Sequence, residues 1–181
     1  MINKWCALFD APKFYTYWSN IFTNKIKAMY YKKFAEFNFK ILHNILPCGY
    51  LVNKWNKKVK SDCMLCNEPQ TTKHLLFNCK NVGLVWKNIS AILKWKITWK
   101  DIVIGKQYGE YKGPFRNTLL TIICYAIHKQ WLKHSEDSEA YFKININAAV
   151  RNNIVYYNEI FKLTSINSIF KRQMNSVVEN I

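Results

Sequence analysis

Three cysteines and one histidine constrain the fold of this chain more than any other feature. Cys63 and Cys66 are followed by His74 and Cys79, which gives the spacing C-x2-C-x7-H-x4-C. Two thiolates separated by two residues can bind one metal ion from a single turn, and a histidine and a cysteine about one helical turn apart can complete a tetrahedron. In a chain of this composition, a chance match to that spacing is on the order of 10⁻⁴.

The ligand set also indicates which metal is bound. Three thiolates and one imidazole favour zinc over the other common protein metals. Because the protein fills all four tetrahedral positions, the spacing predicts one structural zinc with no position left for a catalytic water. The first residues lack the pattern of a secretory signal, so a disulfide framework is the less favoured use of the six cysteines.

Helical spacing of apolar residues dominates the rest of the sequence. It recurs in four segments, which are 30–46, 82–93, 114–131 and about 138–178. Residues 50–55 fit a short helical turn, Thr71 or Thr72 can cap another, and residues 97–104 predict one strand or an extended connector. The predicted fold is therefore mainly α, a helical domain with a small irregular zinc knuckle inserted near residues 60–80.

Lysine gives the chain a large positive charge. Lys and Arg number 27 against 11 Asp and Glu, for a net charge of +16. Residues 1–60 hold 11 basic and 2 acidic side chains, whereas residues 135–181 hold 5 of each. Such an excess indicates a polyanionic partner, although an A/T-rich coding sequence would also enrich lysine.

Only three of the cations are arginines, and lysine suits phosphates better than base edges, so we expect backbone contacts to RNA or DNA. The predicted contacts flank the cysteine cluster and are Lys54, Lys57, Lys58, Lys60, Lys73 and Lys80. Lys73 and Lys80 would also offset the negative charge of three thiolates on zinc.

Several aromatic and sulfur-bearing residues have two possible roles. Trp55 and Trp86 fall on apolar helical stripes and are expected in the core, whereas Trp95 or Trp99, beside lysines, could stack on bases.

Cys124 and His128 are four residues apart on one predicted helix without further ligands nearby. We expect them to be buried by packing.

The residues around the cluster match a recognisable pattern. The segment FAEFNFKILHNILP at 34–47 precedes the two cysteines, and His-Leu-Leu-Phe-Asn-Cys at 74–79 and Val-Trp at 85–86 follow them. Over about residues 28–95 this arrangement resembles the zinc-binding region at the C-terminal end of reverse transcriptases from LINE-type, non-LTR retrotransposons. Retroviral nucleocapsid knuckles differ, because they place four residues between the second cysteine and the histidine, where this chain has seven.

The resemblance implies a zinc-binding module that contacts template RNA or target DNA, with a reverse transcriptase catalytic domain as a further partner. On this basis the chain divides into an N-terminal segment 1–27, a zinc-binding region 28–95 with its knuckle at 61–80, and a helical tail 96–181. We expect an intracellular, nuclear location. We expect no membrane partner, because the longest apolar run, 119–127, is far shorter than the roughly 20 residues of a spanning helix.

Catalysis is not expected from this chain alone. Two-metal polymerisation needs clustered carboxylates, whereas the four aspartates are dispersed. The acidic group Glu136, Asp137 and Glu139 lacks the spacing of a nuclease motif. Two alternatives stay open: a zinc-stapled helical protein–protein interaction domain, and an enzyme fragment that is active only with a polymerase domain supplied in trans.

Overall fold

The computed structural model describes residues 2–27, 29, 31–105, 113–133 and 139–162, together with residues 172, 175 and 179. This part of the chain is mainly helical, as the periodicity predicted, and it contains no β-strand. The α-helices are α1 (Ile2–Phe9), α2 (Tyr15–Phe22), α3 (Lys32–His43), α4 (Gly49–Trp55), α5 (Lys80–Leu93), α6 (Trp99–Val103), α7 (Gly113–Lys133) and α8 (Glu139–Lys162). Two further segments, Thr23–Lys27 and His74–Asn78, form π-helical turns.

The four long helices predicted from periodicity are confirmed as α3, α5, α7 and α8. Helix α3 ends at His43 because Asn44 adopts a left-handed conformation, with φ of 55°, ahead of Pro47. Helix α8 is described to Lys162, and most of the predicted helix after that point lies outside the described residues. The division of the sequence into 1–27, 28–95 and 96–181 stays a prediction.

The strand or connector predicted at residues 97–104 is wrong, because Trp99–Val103 forms helix α6. Thr98 and Asp101 form a capping box at its start. The Thr98 hydroxyl accepts the Asp101 N–H at 3.3 Å, and the Asp101 carboxylate accepts the Thr98 N–H at 2.8 Å. These two bonds satisfy amide groups that the first turn of a helix leaves unpaired, and they offset the β-branched composition of the segment.

One compact unit consists of residues 1–46 and 98–121. The N-terminal helices join its core, since the indoles of Trp5 and Trp18 are buried and donate to the carbonyl oxygens of Leu42 at 2.7 Å and Pro12 at 2.9 Å. The buried amide of Asn38 donates to the Lys25 carbonyl at 2.7 Å. Short segments without strong caps therefore fold here through their buried aromatic residues.

The second compact unit consists of residues 47–97 and 122–181 and contains the cysteine cluster. Cys124 and His128 are buried in α7, as predicted. The His128 Nε2–H donates to the Pro47 carbonyl at 2.9 Å, and its ring lies 5.9 Å from that of Trp131. The imidazole is thus engaged in packing. In the described part of the chain, no helix is both long enough and apolar enough to cross a membrane.

Candidate metal centre

The fold brings all four predicted ligands together. The Sγ atoms of Cys63, Cys66 and Cys79 and a ring nitrogen of His74 lie within 4.8 Å of one another. Cys63 Sγ is 4.0 Å from Cys79 Sγ, and Cys66 Sγ is 3.2 Å from His74 Nε2. Tetrahedral bonds to zinc would set these separations at about 3.8 Å and about 3.6 Å. The donor atoms and their spacing fit one zinc ion.

The first two ligands come from a tight turn at residues 63–66. The Cys63 carbonyl accepts the Asn67 N–H at 2.8 Å, and its own N–H donates to the Glu68 carbonyl at 2.8 Å. Asn67 has a φ of 57°, which reverses the chain after the second cysteine. The amides of Leu65 and Glu68 donate to the sulfurs of Cys63 and Cys66 respectively. This turn holds both sulfurs at the same site, in the irregular loop that the sequence predicted.

The other two ligands bracket the π-helical turn His74–Asn78. Thr71 caps its start, because the Thr71 hydroxyl accepts the His74 N–H at 3.1 Å. The Cys79 N–H donates to the His74 carbonyl at 2.9 Å, an i to i+5 bond. In an α-helix, residues five apart are rotated by about 140° around the axis, whereas the wider π turn, with its i to i+5 bond, reduces that angle. The wider turn therefore explains how His74 and Cys79 reach one metal.

Trp86 in α5 fixes the position of this turn. Its indole N–H donates to the Leu76 carbonyl at 2.8 Å, and its ring lies 6.2 Å from that of Phe77. Leu75 and Leu76 are buried beside it. The expectation that Trp86 belongs to the core is confirmed, and its role is to hold the ligand-bearing turn against α5.

Among the thiols of the cluster, Cys79 loses its proton most easily. A hydrogen bond from Cys63 lowers the pKa of Cys79 to about 7, against the opposing effect of burial. The amides of Asn81 and Val82 in the first turn of α5 lower this pKa further, because they donate to the thiolate. The bond to Cys79, followed by burial, raises the pKa of Cys63 to about 12. Burial also raises the pKa of Cys66.

The site is closed by protein. Cys63, His74 and Cys79 are buried and Cys66 is half-buried. Four protein ligands fill a tetrahedral zinc, so such a metal would stabilise the fold and offer no open position for substrate. Cys48 is also buried, but its Sγ lies 3.9 Å from the Thr72 hydroxyl and is not part of the cluster.

All six lysines that were predicted to contact phosphates are exposed: Lys54, Lys57, Lys58, Lys60, Lys73 and Lys80. None of them forms an ion pair with another residue in the described ranges. Lys73 and Lys80 directly flank His74 and Cys79, where they can offset the charge of the thiolates. The acidic group at 136, 137 and 139 lies outside the side chains that the structure describes.

The tryptophan predictions are partly wrong. Trp55 is 71% exposed and does not join the core; it is the last residue of α4. Trp99 is buried in the first turn of α6 and therefore cannot stack on bases. Trp95 is half-buried, which leaves its predicted stacking role open.

Comparison with known proteins supports the reading of the cluster. Residues 4–86 match a family model described as zinc-binding in reverse transcriptase. The match covers all four ligands and also extends upstream into the N-terminal segment. Searches of curated proteins and of solved structures found no match. Over residues 4–86, with a cluster that fits one structural zinc, the chain is similar to the zinc-binding domain of reverse transcriptases.

Proposed function

We propose that this chain is a zinc-stabilised nucleic-acid-binding module from the C-terminal region of a LINE-type, non-LTR retrotransposon reverse transcriptase. It contacts template RNA or target DNA through the phosphate backbone and catalyses no chemistry itself. It acts in the nucleus, beside a reverse transcriptase catalytic domain. Zinc, when bound, supplies rigidity to the turns at residues 63–66 and 74–79, and the lysines of this chain supply the binding.

The observation that carries this proposal is the surface formed by Lys54, Lys57, Lys58 and Lys60, which we call the lysine loop. These side chains are exposed, and residues 54–60 contain no acidic side chain. The loop leads directly into the zinc site, whose first ligand is Cys63. A row of cations beside a rigid metal site suits a phosphate backbone, since lysine acts as a point charge.

Three hydrogen bonds brace the backbone of the lysine loop. The side chain of Asn53 donates to the Val59 carbonyl at 2.7 Å, and the side-chain oxygen of Asn56 accepts the Lys58 N–H at 3.1 Å. The Val59 N–H donates to the Asn56 carbonyl at 3.1 Å. A braced loop backbone loses little conformational entropy on binding, so less of the binding free energy is spent on ordering it.

A salt titration tests the proposal. Each phosphate contact contributes about 0.7 to 0.9 to the slope of log affinity against log salt. Replacing Lys57, Lys58 and Lys60 together with glutamine should therefore lower that slope by roughly 2 to 3. The matched control removes three cations, Arg151, Lys162 and Lys171, from residues 135–181, which hold equal numbers of basic and acidic side chains and which we call the charge-balanced tail. If the control weakens binding as much as the loop variant, the binding surface has been misplaced.

The same titration distinguishes the alternatives. A zinc-stapled protein–protein interaction domain would bind its partner through apolar contacts, so its affinity should respond little to salt. An enzyme fragment active in trans would restore polymerisation when mixed with a polymerase domain. Failure of the wild-type chain to bind RNA or DNA at low salt would reject the proposed function and favour the interaction domain.

A further inference from the structure

Trp55 differs from the other tryptophans of the chain in its exposure to solvent. Five of the seven tryptophans are buried and Trp95 is half-buried, whereas Trp55 is 71% exposed. The buried indoles of Trp5, Trp18 and Trp86 donate to backbone carbonyls, as expected for this side chain in a core. Tryptophan is enriched at binding interfaces, so an indole ring that the fold leaves this exposed is a candidate binding residue.

The surroundings of Trp55 indicate the chemistry of the ligand. Trp55 is the last residue of α4 and stands at the start of the lysine loop. On the same helix, the Lys54 ammonium lies 4.7 Å from the centre of the Tyr50 ring, and that ring is 45% exposed. Exposed rings interleaved with cations are typical of proteins that bind single strands, where bases stack on rings and cations hold phosphates.

We propose that Trp55 stacks on an unpaired base, so that the lysine loop takes single-stranded nucleic acid in preference to duplex. This inference rests on the function proposed above and adds the class of ligand. Charge complementarity selects the occupant, because four lysines within residues 54–60, a stretch that contains no acidic side chain, attract a polyanion and repel a basic protein surface. A base inside a duplex is stacked between its neighbours and offers no free face to an indole, and that difference creates the preference.

The test compares ligands that differ only in their bases. Labelled oligothymidylate and oligouridylate of about 12 nucleotides, an abasic strand of equal length and a matching duplex are titrated with the zinc-loaded chain. Trp55→Ala should lower the affinity for the strands with bases by roughly 5- to 150-fold and leave abasic and duplex binding unchanged. Trp55→Phe should retain most of the affinity, since it keeps an aromatic face.

The control is Tyr156→Ala, which removes a ring of 58% exposure from the charge-balanced tail and should change nothing. Zinc content and helical circular dichroism confirm that each variant is folded. An unchanged affinity of Trp55→Ala for the strands with bases overturns the inference, as does an equal loss on the abasic strand. In both cases the proposed function stands if wild type binds and the lysine-loop variant lowers the salt slope. If the wild type binds no oligonucleotide, the proposed function itself fails.

Discussion

The side-chain oxygen of Gln70 accepts the backbone N–H of Gly49 at 2.8 Å. The backbone of Gln70 adds two more bonds, since its carbonyl accepts the Tyr50 N–H at 3.2 Å and its N–H donates to the Ser61 carbonyl at 3.0 Å. The N-cap side chain of α4, Cys48, makes no capping bond, so buried Gln70 accepts the free N–H groups of the first turn instead. Gln70 also connects the start of α4 to the loop that carries the first two ligands. The lysine loop, Trp55 and the zinc site are positioned together by this contact.

Gly49→Ala should break this connection. A Cβ at residue 49 would lie 2.6 Å from the Gln70 side-chain oxygen and 2.8 Å from the Lys60 carbonyl oxygen. Overpacking of this kind costs about 1–3 kcal/mol, which urea unfolding of the zinc-loaded chain can measure. The matched control is Gly83→Ala in α5, where a Cβ meets nothing within 4 Å. That variant should gain about 0.5–1 kcal/mol from helix propensity, and equal effects at the two glycines would contradict the packing argument.

The second prediction concerns metal stoichiometry. His74→Ala and Cys66→Ala each remove one of four ligands, so both should lose stoichiometric zinc in elemental analysis of the purified chain. Cys48→Ala removes a buried thiol of the same unit that lies outside the cluster, and it should retain one zinc per chain. Retention of zinc by the His74 variant, or its loss from the Cys48 variant, would mean that the ligand set is wrong.

The ligand set was predictable from sequence because chemistry fixes it. Residue type and spacing are enough to identify the four ligands, Cys63, Cys66, His74 and Cys79. No other residues of the described chain form a comparable group. Helices α3 and α5 were predictable because each places a continuous apolar stripe against the core. Ligand spacing and apolar stripes are both visible within one short segment, so both can be recognised without knowing which other elements that segment contacts.

Other features depend on contacts that a sequence pattern does not contain. The π turn His74–Asn78 carries no signature in the sequence, because an α turn fits the same residues by propensity. Trp55 lies at helical spacing from apolar neighbours, but α4 ends there and no element in the described part of the chain covers its ring. The contacts of Gln70 with Gly49 span 21 residues and carry no sequence signature.

Zinc affinity should rise steeply with pH. Zinc binds thiolates, so each thiol that is still protonated must release a proton, and affinity changes about tenfold per pH unit for each proton released. The raised pKa values of Cys63 and Cys66 keep both thiols protonated near neutral pH, whereas the pKa of Cys79, about 7, lies in that range. The slope of log affinity against pH should therefore rise from roughly 2 at pH 8 toward roughly 3 as the pH falls through 7, because the Cys79 thiol then also binds a proton.

Competition with a chromophoric chelator at several pH values measures that slope. If thiolates are the ligands, protons compete with zinc for the sulfur atoms, so acidification weakens binding. A flat profile between pH 6 and pH 8 would contradict thiolate ligation by thiols with raised pKa values, and a constant slope of 3 across that range would contradict the lowered pKa of Cys79.

Removal of zinc should loosen one region and leave most helices intact. The apolar side chains of α3 and of the described α7 form cores without metal ligands, so the metal contributes local folding energy. With a chelator, amide hydrogen exchange should accelerate over about residues 56–82, while the helical circular dichroism falls only slightly. Complete loss of helicity on chelation would show that the whole chain depends on zinc.

The last prediction concerns helix α6, which the sequence pattern assigned to a strand or connector. The Thr98 hydroxyl accepts the Asp101 N–H at 3.3 Å and donates to the Asp101 carboxylate at 2.7 Å. Thr98→Val keeps the shape and removes the hydroxyl, so it should destabilise the chain by about 0.5–2 kcal/mol in urea unfolding. Thr98→Ser keeps the hydroxyl and should stay within about 0.5 kcal/mol of wild type. If valine is as stable as serine at this position, the cap does not hold α6, and burial of Trp99 and Ile102 alone must account for the helix.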